Sequence, residues 1–165
     1  MVCRDDTYCL LPTFNCLFRF LVAQLRSLCD VVGPMEAPKL RIALLPDPLA
    51  VCRLQPDSGL PDWALAGGFC SATRTVDGLT VICRTDRVPA DVHASRGWRA
   101  LKIEGPLDLN LVGILVSVAA PLAQAGVAIL PIGTYETDYI LVRNEQLDTA
   151  IRALQSTNLD VVEDV

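Results

Sequence analysis

The sequence predicts an α+β fold made of two βαββαβ units, each carrying its helices on one face of an antiparallel sheet. Three observations lead there. First, GTYETDYILVR at 133–143 has a counterpart, RTVDGLTVICR, at 74–84. An offset of 59 positions brings Thr75 onto Thr134, Asp77 onto Glu136 and Arg84 onto Arg143. Second, the same offset places Ala64, Ala66 and Gly67 on Ala123, Ala125 and Gly126, and the run 40–45 on 99–104. A constant register across separate segments signals duplication of one supersecondary unit. Third, the apolar spacing of the second copy switches between strand and helix periods in the order strand, helix, strand, strand, helix, strand.

The second copy is the more regular. Arg99 to Glu104 alternates as a strand and stops at Gly105-Pro106. Asp108 or Asn110 is expected to cap the next helix, because a short side-chain oxygen accepts the unpaired N–H groups of a first turn. Leu111, Leu115, Val118 and Leu122 mark one face of that helix, and Val112, Val116 and Ala119 make the opposite face nearly as apolar. A helix apolar all round is expected to be buried on two sides. Pro121 removes a donor and should kink the helix or end its regular part. Gly126 then turns the chain into a strand at 127–132. The polar turn Tyr135-Glu136-Thr137-Asp138 leads to a strand at 139–143, and Asn144 is expected to cap a last helix with Leu147, Ile151 and Leu154 on one face. Leu159 to Val162 closes the unit. This element order is that of a ferredoxin-like unit.

The first copy has traded helix for strand. Leu40 to Leu45 and Leu49 to Leu54 read as strands separated by Pro46-Asp47-Pro48. Its first helix slot holds only 61–66, strands at 69–74 and 80–83 flank an Asp77-Gly78 turn, and the second helix slot, 88–95, is short. Ahead of both copies, residues 1–37 read as an extension and linker, with 38–97 the first unit and 98–165 the second. The extension holds four of the seven cysteines and a helical apolar face from Phe14 to Leu28. Arg19, Gln24, Arg26 and Asp30 interrupt the apolar stretch from Phe14 to Val32 too often for a membrane span. GPMEAP at 33–38 is the linker, and Met35 is an alternative start.

A net charge of −5, with no basic run, points away from nucleic acid. The cysteines form no C-x-x-C pair and His93 is the only histidine, so neither a metal site nor a cofactor is expected. Cys52, Cys70 and Cys83 lie in apolar runs and read as buried free thiols of a reducing, cytoplasmic compartment. No nucleophile elbow, phosphate loop, dinucleotide fingerprint or zinc-protease motif is present, so no catalytic residue is assigned.

The segment EGPLDLNLVGILVSVAAPLAQAGVAILPIGTYETDYILV, 104–142, is similar to the ACT domains, small ferredoxin-like modules that bind amino acids. It most resembles the stand-alone paired ACT proteins, which are related to aspartate kinase regulatory regions and to cytosolic arginine sensors. The resemblance implies an amino acid ligand held where two units meet, between a strand-to-helix loop and a facing strand edge. Carried over by position, the loop is Leu107, Asp108, Leu109 and Asn110, leading to Gly113 and Ile114, and the edge is Thr134, Tyr135, Glu136 and Thr137.

The chemistry of these residues agrees. A zwitterion needs N–H donors for its carboxylate, which a helix start near Leu111 offers. It needs oxygen acceptors for its ammonium, which Asp108, Glu136 and Asp138 offer. The same residues also read as plain helix caps and solvated turn residues. Copy one has Val76, Gly78 and Thr80 in place of Tyr135, Thr137 and Tyr139, and so is poorer in groups that grip. The expectation is a non-catalytic amino acid-binding regulator, with a homodimer or a regulated protein as partner and no membrane. The alternative is a ligand-free interaction module on the same paired fold.

Overall fold

Residues 40–157 and 159–163 are described by a computed structural model. The expectations made for residues 1–37 lie outside them. Strands β1 (Arg41–Leu44) and β2 (Leu49–Leu54) are separated by two prolines, which cannot donate to a ladder. Both run antiparallel to the ten-residue strand β5 (Ala94–Ile103), β1 along its last three residues and β2 along its first half. A four-residue helix α1 (Asp62–Leu65), the hairpin β3 (Cys70–Thr75) and β4 (Gly78–Arg84), and a 3-10 turn at Thr85–Arg87 complete the first copy. Its strand order is β3-β4-β2-β5.

The second copy follows from the same β5. Helix α2 (Ile114–Gln124) leads to β6 (Ile129–Gly133) and β7 (Asp138–Arg143), then to a 3-10 turn at Asn144–Gln146, helix α3 (Leu147–Gln155) and strand β8 (Asp160–Glu163). β7 pairs with both β5 and β6. The fold is α+β and ferredoxin-like, with β5 serving both copies. Its first half is the fourth strand of one copy and its second half the first strand of the other. Trp98 is the hand-over point, pairing with Leu49 and with Arg143. A bulge precedes it, where Gly97 adopts φ 80, a conformation that costs a side-chain-bearing residue energy.

The repeat register holds over part of its expected length. At an offset of 59, β3 falls on β6, and Thr85–Arg87 falls on Asn144–Gln146. Upstream it fails. Leu49 faces Arg84 as Trp98 faces Arg143, so β2 corresponds to the second half of β5 and the run 40–45 has no counterpart. Instead, β1 inserts between β5 and β8 and pairs in parallel with β8, Ile42 against Val161, where an all-antiparallel sheet was expected. The difference arises between first strand and hairpin, where copy two has a longer loop and an eleven-residue helix.

Two apolar clusters lie on the helix side of the sheet. The larger joins Ile42, Leu101, Ile103, Ile140 and Val142 to Ile114, Val118 and Leu122 of α2 and to Leu147, Ala150 and Leu154 of α3. Each fully buried aliphatic side chain contributes about 1.5–3 kcal/mol. The smaller joins Ala50, Cys52, Leu79, Val81 and Cys83 to Ala64 and Val88. Cys70, expected inside, is exposed, because β3 is an edge strand. Helix α2 also departs from expectation. It starts at Ile114, which turns Ile114, Val118 and Leu122 inward and leaves Leu111, Val112, Leu115 and Val116 exposed. Among the described residues, only one of its two apolar faces is buried. Pro121 does not end it, and the helix continues to Gln124.

Candidate ligand site

The loop 104–113, between β5 and α2, packs against the β6–β7 turn, and backbone chemistry fixes the pair. A Cβ on Gly105 would stand 2.6 Å from the carbonyl oxygen of Glu136, so glycine is what lets the turn come this close. The Leu107 N–H donates to that same carbonyl at 2.8 Å. Thr137 is buried, and its hydroxyl donates to the Ile103 carbonyl. The Thr134 hydroxyl donates to the Thr137 carbonyl at 2.6 Å and accepts from the Thr137 N–H at 3.1 Å. Both threonines therefore hold the turn's shape.

Asp108 organises the loop itself. Its Oδ1 accepts from the backbone N–H of Asn110 at 2.8 Å and from the Asn110 side-chain amide at 2.9 Å. The backbone bond first, then the side-chain bond, hold the Asp108 carboxyl below its ordinary value, against a smaller opposing effect of desolvation. Neither residue caps α2, contrary to expectation. The N-cap is Gly113 at φ 92, with no side-chain cap bond. The local turn closed by Asp108 competes with helix at that point and delays its start. Asn144 makes no cap either, opening the 3-10 turn ahead of α3.

A cavity of about 150 Å³ lies between loop and turn, lined by Leu107, Asp108, Leu109, Leu111, Ile114, Thr134, Tyr135, Thr137 and Asp138. Seven of the ten residues expected at the site are among them. The other three take different positions. Asn110 is engaged with Asp108, Gly113 is the N-cap, and Glu136 gives its backbone carbonyl to the loop. Asp138 supplies the carboxylate in place of Glu136. The sequence reads it as an acceptor for an ammonium, beyond the loop and edge that the resemblance marks. The signal lay in strand alternation: Asp138 is the cross-strand partner of Gly133, whose missing side chain leaves the carboxylate uncovered.

Aliphatic Leu107 and Ile114 line the cavity together with one acidic residue from each wall, Asp108 of the loop and Asp138 of the turn. Its rim runs into exposed Leu109, Leu111 and Tyr135. In chemical terms it offers acceptors for a cation and apolar contact for a short stem. A wider groove of about 440 Å³ lies in the first copy, floored by Val51 and walled by Arg53, Thr80 and Ser95. Those side chains alternate with the core-facing Cys52 and Val81, which places them on the sheet face away from the helices. No cluster among the described residues suits a metal ion, and no helix among them is long and apolar enough to cross a membrane.

Comparison with known proteins agrees with the fold and extends it. Residues 93–156 match the family model of the ACT domain, and residues 47–91 match a second model, that of an N-terminal domain. The cytosolic arginine sensor for mTORC1 subunit 1 of Bos taurus is 36% identical over 66 residues. That match covers 37% of this chain and only 20% of the sensor. The crystal structure of protein Atu0741 from Agrobacterium tumefaciens superposes with a TM-score of 0.73 at 33% identity, covering 78% of this chain and 96% of that one. Aspartate kinase from Synechocystis shares the fold at a TM-score of 0.56 and 16% identity, over 75% of this chain and 28% of the kinase. The chain belongs to the ACT-domain family.

Proposed function

We propose that this protein is a non-catalytic regulator that binds an amino acid in the cavity between the 107–111 loop and the 134–138 turn. In this reading, residues 38–97 and 98–165 act as two ACT-like units, the second of which carries the ligand groups. The observation that carries the proposal is that Asp108 of the loop and Asp138 of the turn line the same small cavity as the aliphatic Leu107 and Ile114. Two carboxylates suit an ammonium or guanidinium, and the aliphatic pair suits the stem that bears it. The name of the bovine relative supports a basic amino acid and a cytoplasmic setting.

The cavity is too small to enclose such a ligand by itself. Its rim continues into the apolar residues that α2 leaves exposed, Val112 80% and Val116 66%. A second copy of the chain, or a regulated protein, seated on that face completes the site and reads its occupancy. Ligand then favours one arrangement of the pair by its differential affinity. The same exposed face favours a second reading, an interaction module without a ligand.

A thermal-shift panel of the standard amino acids at millimolar concentration, on the full chain, separates the two. A ligand bound only by the folded state adds about 2.7 kcal/mol at a hundredfold excess over Kd. The expected result is a rise in Tm with basic amino acids that Asp108→Ala removes. A flat panel favours the interaction module.

A further inference from the structure

We propose that the first copy contains a guanidinium site built like the ligand cavity of the second, and that Arg74 is its resident ligand. The place is identified by the repeat register. Arg74 corresponds to Gly133, and Leu79 to Asp138, since each pair lies opposite the other across its hairpin. The loop after β2 corresponds to the loop after the second half of β5, so Pro56 and Ser58 stand where Gly105 and Leu107 stand.

The Arg74 guanidinium spans this place. Its Nη1 donates to the carbonyl of Pro56 and its Nη2 to the carbonyl of Ser58, at 2.5 Å for the latter. Two carbonyls two residues apart match the fixed fork of a guanidinium, which an ammonium cannot reproduce. The chain thus supplies its own cation, over an apolar Leu79 that offers the cation nothing. The second copy reverses both positions. Gly133 withdraws the side chain, and Asp138 adds a carboxylate beneath it, with Oδ1 3.4 Å from where a Cβ at Gly133 would stand. One copy is closed by its own arginine, and the other is left open to a cation from outside. The inference uses the geometry of the proposed ligand cavity, but its test is independent of ligand binding there.

The test is chemical rescue in the full chain. Arg74→Ala removes the resident group, and ethylguanidinium at tens of millimolar is the probe. Ethylammonium and sodium chloride at equal concentration are the controls. The expected result is a saturable rise in the Tm of Arg74→Ala with ethylguanidinium, absent with either control and absent in the wild-type chain. If Arg74→Ala does not fold, ethylguanidinium is expected to restore its helical circular dichroism. Arg74→Lys, which keeps the charge and loses the fork, is expected to fold and to gain little. Overturning results are no rescue, equal rescue by ethylammonium, or an equal response of the wild type. Failure of the rescue with a positive amino acid panel removes this inference alone. A flat panel with successful rescue removes only the proposed ligand in the second copy.

Discussion

The two copies share a hairpin and a 3-10 turn in the same register, yet differ in the length of loop and helix between the first strand and that hairpin. Copy one crosses with a short loop and the four residues of α1; copy two crosses with the loop 104–113 and the eleven of α2. The hairpin is what the duplication preserved, because its ladder and apolar face build the sheet in both copies. The crossing is where the copies diverged. In copy two it carries Asp108, the cavity and an exposed apolar helix face, and in copy one it is bonded down by Arg74. On the proposed function, the duplication keeps one half as scaffold and opens the other to a ligand.

The contrast can be broken at its helices with the largest effect. Leu122, fully buried on the inner face of α2, is expected to cost about 2–5 kcal/mol as Leu122→Ala in urea denaturation. Leu65, 57% exposed in α1, is expected to stay within about 0.5 kcal/mol as Leu65→Ala. Similar losses at both would contradict the claim that copy two carries the helix-backed core.

The loops give a smaller contrast of opposite sign. A methyl group at Gly105 meets the Glu136 carbonyl, so Gly105→Ala is expected to destabilise by about 1–3 kcal/mol. Nothing lies within 4 Å of a Cβ at Gly59, so Gly59→Ala is expected to stabilise by about 0.4–1 kcal/mol through the unfolded chain. Thermal denaturation of the pair decides the point.

The smallest effect sharpens the site. The folded state depresses the Asp108 pKa, so its contribution to stability is present above the unfolded pKa and is lost as pH falls through the lower folded value. Asn110→Ala removes one of the two bonds that depress it. The Asp108 carboxyl, followed by NMR, is expected to titrate at higher pH in that variant than in the wild type. An unchanged midpoint removes Asn110 from the account.

Much of this architecture is legible in the sequence, and the misses have physical causes. β2 is read to the residue, from its apolar run and from Pro46, Asp47 and Pro48 ahead of it. The first half of β5 is missed because Gly97 and its bulge break the alternation at the hand-over between copies. The run 40–45 is recognised as a strand, but its insertion beside β8 is a long-range pairing that no local pattern carries. At the proposed site, the loop and turn come from the resemblance to ACT domains, carried over by position, since residue type alone also reads them as caps and turn residues. The side-chain directions that exchange Glu136 for Asp138 depend on cross-strand register, visible only once the hairpin is folded. The start of α2 is misplaced because the Asp108–Asn110 turn satisfies the same side-chain oxygen that a cap would use.

The most direct test of the divergence between copies is an amide NMR titration of the full chain with the amino acid giving the largest thermal shift. The expected result is saturable perturbation of residues 107–111 and 134–138, with the corresponding loop 55–61 unmoved. Perturbation of 55–61 with residues 107–111 silent would contradict the assignment of the open site to the second copy.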